Sequence, residues 1–240
     1  MTTFIDKLNL TEAEQKIFEE LKKKYNHKIS TELLAVIVVQ QRKEKEYDIS
    51  CEDIVELEDE IGLSNLEIND DIKEAFEEEF IIYDKNLKTK DGIPILIIKP
   101  SILIELELSE DEQKIAIFHA IYKILTNYPE ATIKGLFIIL DVDGLGIISS
   151  GTYGSKIYSY VKKLPARPQK IIFYRLSWFL SWTYNFIKEA LPETMQERVE
   201  ICYDEESLID CIGKENLIVS YGGEVEYDIN KIIKEIFIKD

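Results

Sequence analysis

The sequence predicts an α/β protein in which helices flank a mixed, mostly parallel β-sheet, preceded by an all-helical N-terminal segment. Capped helical patterns fill the chain up to Glu79, whereas short β-branched runs alternate with helical patterns from Phe80 onward. The run Leu136–Leu140 is continuously apolar, which is typical of a central strand buried on both faces. We therefore predict a helical segment over residues 1–79 and an α/β domain over residues 80–240.

Polar capping residues mark the starts of the N-terminal helices. Thr11 and Glu14 have the spacing of a capping box, and Gly62 suits the left-handed residue that ends many helices. The predicted helices run from Thr11 to about Tyr25, from Ser30 or Thr31 onward, from Ser50 to Gly62 and from Asn69 to Glu79.

The second part reads as alternating strands and helices that follow a hairpin. The predicted strands are Phe80–Tyr83, Ile93–Ile98, Leu136–Leu140, Lys170–Tyr174, Val199–Tyr203 and Leu217–Val219. The predicted helices are Ser109–Asn127, Thr152–Lys163, Ser177–Leu191, Glu205–Ile212 and Asp228–Phe237.

The charge excludes several functional classes. A net charge of −17 disfavours a nucleic-acid groove, which needs Lys and Arg to neutralise phosphates, and it disfavours loose adsorption to anionic lipid. No apolar run reaches the length of a membrane span, and the polar N-terminus is unlike a signal peptide, so we expect a cytoplasmic protein.

One stretch departs from this acidic average. Residues 144–188 contain no Asp or Glu. This asymmetry predicts a basic face on an acidic body, although a buried core would also lack acids. The stretch carries Lys156, Lys162, Lys163, Arg167, Lys170, Arg175 and Lys188.

The predicted helix Ser177–Leu191 is apolar around most of its circumference, more than a surface helix needs. It holds both tryptophans of the chain, Trp178 and Trp182, and tryptophan is enriched at membrane interfaces. Two interpretations stay open, a helix packed on several sides and a helix with a face that contacts lipid.

Catalytic and metal motifs are weak or absent. Asp141-Val142-Asp143-Gly144 after an apolar strand is similar to the nucleophile loop of haloacid-dehalogenase-type phosphatases, but Leu145 follows where Thr or Val is usual. The three cysteines predict no disulfide framework, and His119 lies in an apolar run as a core histidine would. We therefore expect no cofactor, no metal and no enzymatic activity.

Several short segments between about Thr31 and Asp228 follow one another in a recognisable order and spacing. They are Arg42-Lys43 with Tyr47-Asp48-Ile49, Asp91-Gly92-Ile93-Pro94, Gly135–Gly144, Leu164-Pro165-Ala166-Arg167, Trp182–Leu191, Thr194–Val199, Asn216-Leu217 and Tyr221-Gly222-Gly223. Taken together, in this order, they resemble the CRAL-TRIO lipid-transfer family.

The resemblance implies a protein that carries one phospholipid or other small hydrophobic ligand in an internal pocket and touches membranes transiently. The helix 177–191 would be the gate of that pocket. The residues expected to form the pocket and gate are Ile138, Leu140, Phe173, Trp178, Phe179, Trp182, Tyr184, Phe186, Ile187 and Leu191. Those expected to meet headgroups or the membrane are Lys162, Lys163, Arg167 and Arg175.

Two departures from the family pattern leave an alternative open. Members that transfer phosphatidylinositol use a Glu and a Lys at positions that correspond here to Ala166 and Glu206. The usual mode of inositol binding is therefore not expected. The alternative is a pseudo-carrier of the same fold, which would bind a protein partner instead of a lipid.

Overall fold

The sheet has the predicted mixed, mostly parallel arrangement. A computed structural model describes residues 3–62, 68–145, 163–176 and 193–233. Within these residues the sheet has five strands in the order β1-β2-β3-β4-β5, with β1 antiparallel to β2 and the other neighbours parallel. The strands are β1 (Ile81–Lys88), β2 (Pro94–Ile98), β3 (Leu136–Asp141), β4 (Pro168–Tyr174) and β5 (Val199–Cys202).

The N-terminal helices begin close to the predicted caps. Thr11 makes a capping box with Glu14, and the Ser30 hydroxyl accepts a hydrogen bond from the backbone N–H of Leu33. Gly62 ends the fourth helix in the left-handed conformation. The helices are α1 (Phe4–Lys7), α2 (Glu12–Tyr25), α3 (Thr31–Gln40), α4 (Tyr47–Ile61) and α5 (Asp70–Glu77).

The predicted start of α4 at Ser50 was wrong, because the helix begins at Tyr47. The Ser50 hydroxyl does not cap a helix but accepts a hydrogen bond from the side chain of Gln41, 2.7 Å away. The first turn of α4 is instead held by Asp48, whose carboxylate receives the Lys24 ammonium at 2.7 Å and the Tyr25 hydroxyl at 2.9 Å.

Three short helices in the second part were not predicted from the sequence, namely Pro100–Glu105, Pro129–Lys134 and Glu193–Gln196. The first two have proline in their first turn, where the missing N–H costs nothing. The helices of this part are α6 (Pro100–Glu105), α7 (Glu110–Asn127), α8 (Pro129–Lys134), α9 (Glu193–Gln196), α10 (Glu205–Ile212) and α11 (Ile229–Ile232).

The predicted strand Leu217–Val219 was also wrong. Ile218 makes a single parallel bridge to Val225, and a 3-10 turn over Val219–Tyr221 follows at once. Of the other predictions, the helices 152–163 and 177–191 fall outside the described residues, apart from Lys163, and so does the end of the last helix beyond residue 233. No helix among the described residues is long and apolar enough to cross a membrane.

The two faces of the sheet enter different hydrophobic clusters. We call front face the side formed by Leu96, Ile98, Ile138, Leu140, Ile171, Phe173, Val199 and Ile201. We call back face the side formed by Ile95, Ile97, Phe137, Ile139, Ile172 and Tyr174.

The front face shares a buried cluster with the N-terminal helices and α7, where Leu33 to Val39 of α3 are all buried. Side chains of α10, among them Leu208 and Ile212, cover the back face. Each face of the central strand β3 therefore meets apolar groups, as its unbroken apolar sequence predicts. The boundary between residues 79 and 80 stays a prediction.

The packing of Gly223 against Leu217 gives a test of the fold. A Cβ at Gly223 would collide with the backbone carbonyl of Leu217, whereas a Cβ at Gly62 would meet open space. Gly223→Ala should therefore lower the free energy of unfolding by about 2 kcal/mol or more. Gly62→Ala, the matched control, should cost only about 1 kcal/mol, for its left-handed backbone.

Urea denaturation of the two variants measures the difference. Equal losses at the two positions would show that the Tyr221-Gly222-Gly223 segment does not pack against Leu217 as described.

Candidate functional site

An apolar cluster occupies the front face where the parallel strands end. Its buried members are Val142, Phe173, Leu176 and Val199, and the half-buried Leu140, Leu145, Ile171, Met195 and Ile201 pack against them. Leu140 pairs in register with Phe173, and Phe173 pairs with Ile201, so these three side chains form a row across β3, β4 and β5. We call this set the front-face cluster.

Two described residues, one on either side of the segment 177–192, lie at this cluster. Leu176 immediately precedes the segment, and Met195 follows it by a few residues. Both side chains pack against the front-face cluster. The chain therefore leaves the cluster at Leu176 and has returned to it by Met195.

The predicted pocket residues divide into two groups. Ile138, Leu140 and Phe173 share the front face, as a common pocket requires. Ile138 is already buried among helical side chains, whereas Leu140 and Phe173 belong to the front-face cluster. The remaining predicted pocket and gate residues lie outside the described residues; they are Trp178, Phe179, Trp182, Tyr184, Phe186, Ile187 and Leu191.

A polar network centred on Asp141 occupies the carboxyl edge of the sheet. The Asp141 side chain is only 2% exposed, and its Oδ1 accepts from Arg175 Nε at 2.9 Å. Its Oδ2 accepts from Arg175 Nη2 and from the Tyr221 hydroxyl, the latter at 2.6 Å. Arg175 Nη1 also pairs with the exposed Asp143 at 3.0 Å. This network joins β3, the residue after β4 and the 3-10 turn near the C-terminus.

The network stabilises the charged form of Arg175 and the neutral form of Tyr221. The hydrogen bonds that Arg175 donates to Asp141 raise the pKa of its guanidinium further above the usual range. Burial and the Asp141 carboxylate raise the pKa of the Tyr221 hydroxyl, so it donates as a neutral phenol. The guanidinium also lies 5.1 Å from the Tyr174 ring centroid and 5.9 Å from that of Tyr221, within cation–π range.

A small polar cavity of about 210 Å³ opens beside this network. Its walls carry charges of both signs, and Lys99 is already paired with Glu79 at 2.7 Å. A cavity of this volume lies below the roughly 300 Å³ of ordinary small-molecule pockets, so it suits water or a small polar group and not an acyl chain. It is lined by Lys99, Ser101, Glu105, Asp141, Asp143, Gly144 and Arg175.

The geometry does not support the phosphatase alternative. A nucleophilic Asp141 would need a free oxygen facing the substrate, but both of its oxygens accept hydrogen bonds inside the protein. The sequence offers Lys170 and Asp204 as candidates for the other residues of such a site, and neither fits. Lys170 lies four residues before Tyr174, the register partner of Asp141, and is therefore roughly 13 Å from Asp141 along the strand. Asp204 caps α10 through the backbone N–H of Ser207 at 2.9 Å. Among the described residues, no group of three or more His, Cys, Asp and Glu side chains could hold a metal ion.

The predicted headgroup residues that the structure describes all contact the protein itself. Lys163 pairs with Glu56 of α4 at 2.8 Å, and Arg167 donates to the Ile133 carbonyl at 3.0 Å. Burial lowers the pKa of the Arg167 guanidinium. Arg175 is held by the two carboxylates of the Asp141 network, and Lys162 lies outside the described residues. Their contact with headgroups stays a prediction.

The sequence patterns did not predict that Asp141, Arg175 and Tyr221 form one network. They place the three residues in separate contexts, which are a phosphatase-like loop, a basic stretch and the closing Tyr-Gly-Gly. One signal was available, since a carboxylate that ends a buried strand needs a cationic or hydrogen-bonding partner. No comparable signal marks the apolar residues of the front-face cluster that were not predicted, which are Leu176, Met195 and Ile201.

The chain is similar to a known protein family and to solved structures. The family model described as CRAL/TRIO domain matches residues 80–223. The crystal structure of Sfh5 is similar with a TM-score of 0.54 and 14% sequence identity, covering 96% of this chain and 99% of that one. At this identity the likeness shows the fold alone. No curated protein matches the chain.

The Asp141 network predicts that the Asp→Asn substitution lowers the free energy of unfolding much more at position 141 than at position 143. Asp141→Asn would turn an amide N–H₂ toward an Arg175 N–H, because each oxygen of Asp141 accepts from that guanidinium. We expect a loss of about 3 kcal/mol in the free energy of unfolding, as for a broken buried ion pair. Asp143→Asn removes a 64% exposed partner of the same guanidinium and should cost less than about 1 kcal/mol.

Urea denaturation at neutral pH measures both values. Similar losses in Asp141→Asn and Asp143→Asn would contradict a buried, structurally required Asp141.

Proposed function

Because the chain belongs to the CRAL/TRIO family of lipid-binding and lipid-transfer proteins, we propose that it carries one lipid against the front face of its sheet. The ligand would be a phospholipid or another small hydrophobic molecule. Proteins of this family are generally non-enzymatic lipid binders, and we propose that this chain likewise acts by binding and release.

The position of the front-face cluster carries this proposal. Leu140, Phe173 and Ile201 form an apolar row at the ends of three strands, and the first and last are only half-buried. The flanking residues Leu176 and Met195 pack on the same row. We propose that the segment 177–191 lies over this row, so that its broad apolar surface and the row together enclose the acyl chains.

The same segment would act as the gate that opens at a membrane. Its two tryptophans suit the interfacial region of a bilayer, and an apolar surface released from the front face would find a second apolar partner there. The protein would thus be cytoplasmic and peripheral to membranes, with transient contact during lipid exchange. Among the predicted headgroup residues, Lys163 is best suited to contact anionic lipid, because the Glu56 carboxylate that pairs with it is 64% exposed and can exchange for a lipid headgroup.

A pair of matched substitutions tests the lipid-carrying face. Ile201→Trp adds bulk to the front-face cluster, whereas Ile209→Trp makes the same change at a half-buried position on the back face. We expect lipid retained by Ile201→Trp to fall about five-fold or more, because overpacking a fitted apolar site costs about 1–3 kcal/mol. Ile209→Trp should retain lipid as the parent chain does.

Native mass spectrometry of each purified protein measures the lipid-bound fraction, and thermal unfolding checks that both variants fold. Equal retention in the two variants would place the ligand elsewhere. A folded parent chain that carries no lipid, and that moves none between liposomes, would instead favour the pseudo-carrier.

The gate can be observed without a label, because Trp178 and Trp182 are the only tryptophans of the chain. Liposomes containing brominated phospholipid should quench the tryptophan fluorescence as the segment 177–191 enters the interface. Trp182→Asp should weaken liposome binding, and Asp210→Asn in α10 serves as a control that also changes one charge. Tryptophan emission that brominated liposomes leave unquenched would contradict the proposed gate.

A further inference from the structure

Two cysteines that are distant from any recognised motif meet on the back face of the sheet. Cys202 ends β5, and Cys211 lies on α10, which packs against that strand. Both are free thiols. The Cys202 thiol donates to the Ser207 carbonyl, 3.5 Å away, which lies one turn of α10 before Cys211. The pair thus forms a dithiol between a strand and the helix that covers it.

A lysine lies beside the more accessible of the two sulfurs. Lys170 Nζ is 3.5 Å from Cys211 Sγ and also pairs with Glu200, whose Oε2 is 3.8 Å from the same sulfur. The hydrogen bond from Cys202 and the charge of Lys170 lower the pKa of Cys211 to about 7, against the opposing effects of burial and of Glu200. The same hydrogen bond and burial raise the pKa of Cys202, which keeps its proton.

The three cysteines of the chain differ in access to solvent. Cys211 is half-buried, whereas Cys202 and Cys51 are 1% and 0% exposed. Burial raises the pKa of Cys51 to about 12, so this thiol is an internal control for an unreactive cysteine. A small reagent from solvent therefore meets Cys211 first.

We propose that Cys211 is a modification site for small hydroperoxides and that Cys202 is its resolving partner. The Cys211 thiolate attacks one peroxide oxygen and the O–O bond breaks, giving a sulfenic acid while the departing oxygen takes a proton to become water or an alcohol. The peroxide is reduced by the two electrons that the sulfur loses.

The neighbouring thiol completes the reaction. Cys202 loses its proton and its sulfur attacks the sulfenic sulfur, the S–O bond breaks, and the released hydroxide leaves as water. A disulfide between β5 and α10 remains. Because the Cys202 sulfur lies against the turn of α10 that ends at Cys211, the resolving sulfur starts near the sulfenic acid. The bridge would constrain the back face, opposite the proposed lipid face, and the inference is independent of lipid binding.

Mass spectrometry of the peroxide-treated full chain tests the site. After limited hydrogen peroxide and blocking of free thiols with iodoacetamide, we expect one intramolecular disulfide between Cys202 and Cys211, with Cys51 alkylated only after denaturation. In Cys202→Ser, the sulfenic acid should persist on Cys211 and be trapped by dimedone. A disulfide between two chains, preferential oxidation of Cys51, or no oxidation at Cys211 would overturn the proposal.

Variants of the neighbouring charges separate thiolate activation from mere exposure. Lys170→Gln should slow alkylation of Cys211 at pH 7 about three- to ten-fold, as its thiolate fraction falls toward that of an ordinary cysteine. Lys170→Arg should largely restore the rate, and Glu200→Gln should raise it. Thermal unfolding establishes that each variant is folded. An alkylation profile of the parent chain centred near pH 8.5, unchanged in Lys170→Gln, would contradict the role of the lysine.

Discussion

The apolar side chains on both faces of this sheet must be covered, and the positions of the surrounding helices follow from that requirement. The back face is covered by α10 and the Tyr221 turn, and the amino-terminal part of the front face by α3 and α7. The carboxyl end of the front face is different, because Leu140 and Ile201 stay half-buried beside Phe173. A protein that carries a lipid needs such a row, which a ligand and a movable segment can complete together.

The Asp141 network holds the edge of the sheet next to that row. A buried carboxylate with three hydrogen bonds from Arg175 and Tyr221 fixes the end of β3 and the residue that follows β4. Arg175 adopts a left-handed backbone with φ of 59°, which is uncommon for a residue other than glycine. The hydrogen bonds of the Arg175 guanidinium to Asp141 thus anchor the chain two residues before the proposed gate segment 177–191.

Much of the fold could be predicted from the sequence, and less of the site. The caps Thr11 and Ser30 and the apolar run of β3 are local signals, so their predictions were confirmed. The helix start predicted at Ser50 was wrong, because the Ser50 hydroxyl accepts a hydrogen bond from the Gln41 side chain instead of capping a helix. The Asp141 network and the Cys202–Cys211 pair join residues distant in sequence or on different elements, and no local periodicity reveals such partners. The pocket residues on the predicted helix 177–191 stay predictions.

The location of a bound acyl chain shows whether the front face of the sheet carries the lipid. The purified chain would be loaded with a phospholipid carrying a diazirine near the end of one acyl chain, irradiated, and digested for peptide mapping by mass spectrometry. If the lipid lies on the front face, we expect crosslinks to Leu140, Phe173 and Ile201 and to the segment 177–191. Crosslinks confined to α10 and the back face, or a folded chain that takes up no lipid at all, would contradict it.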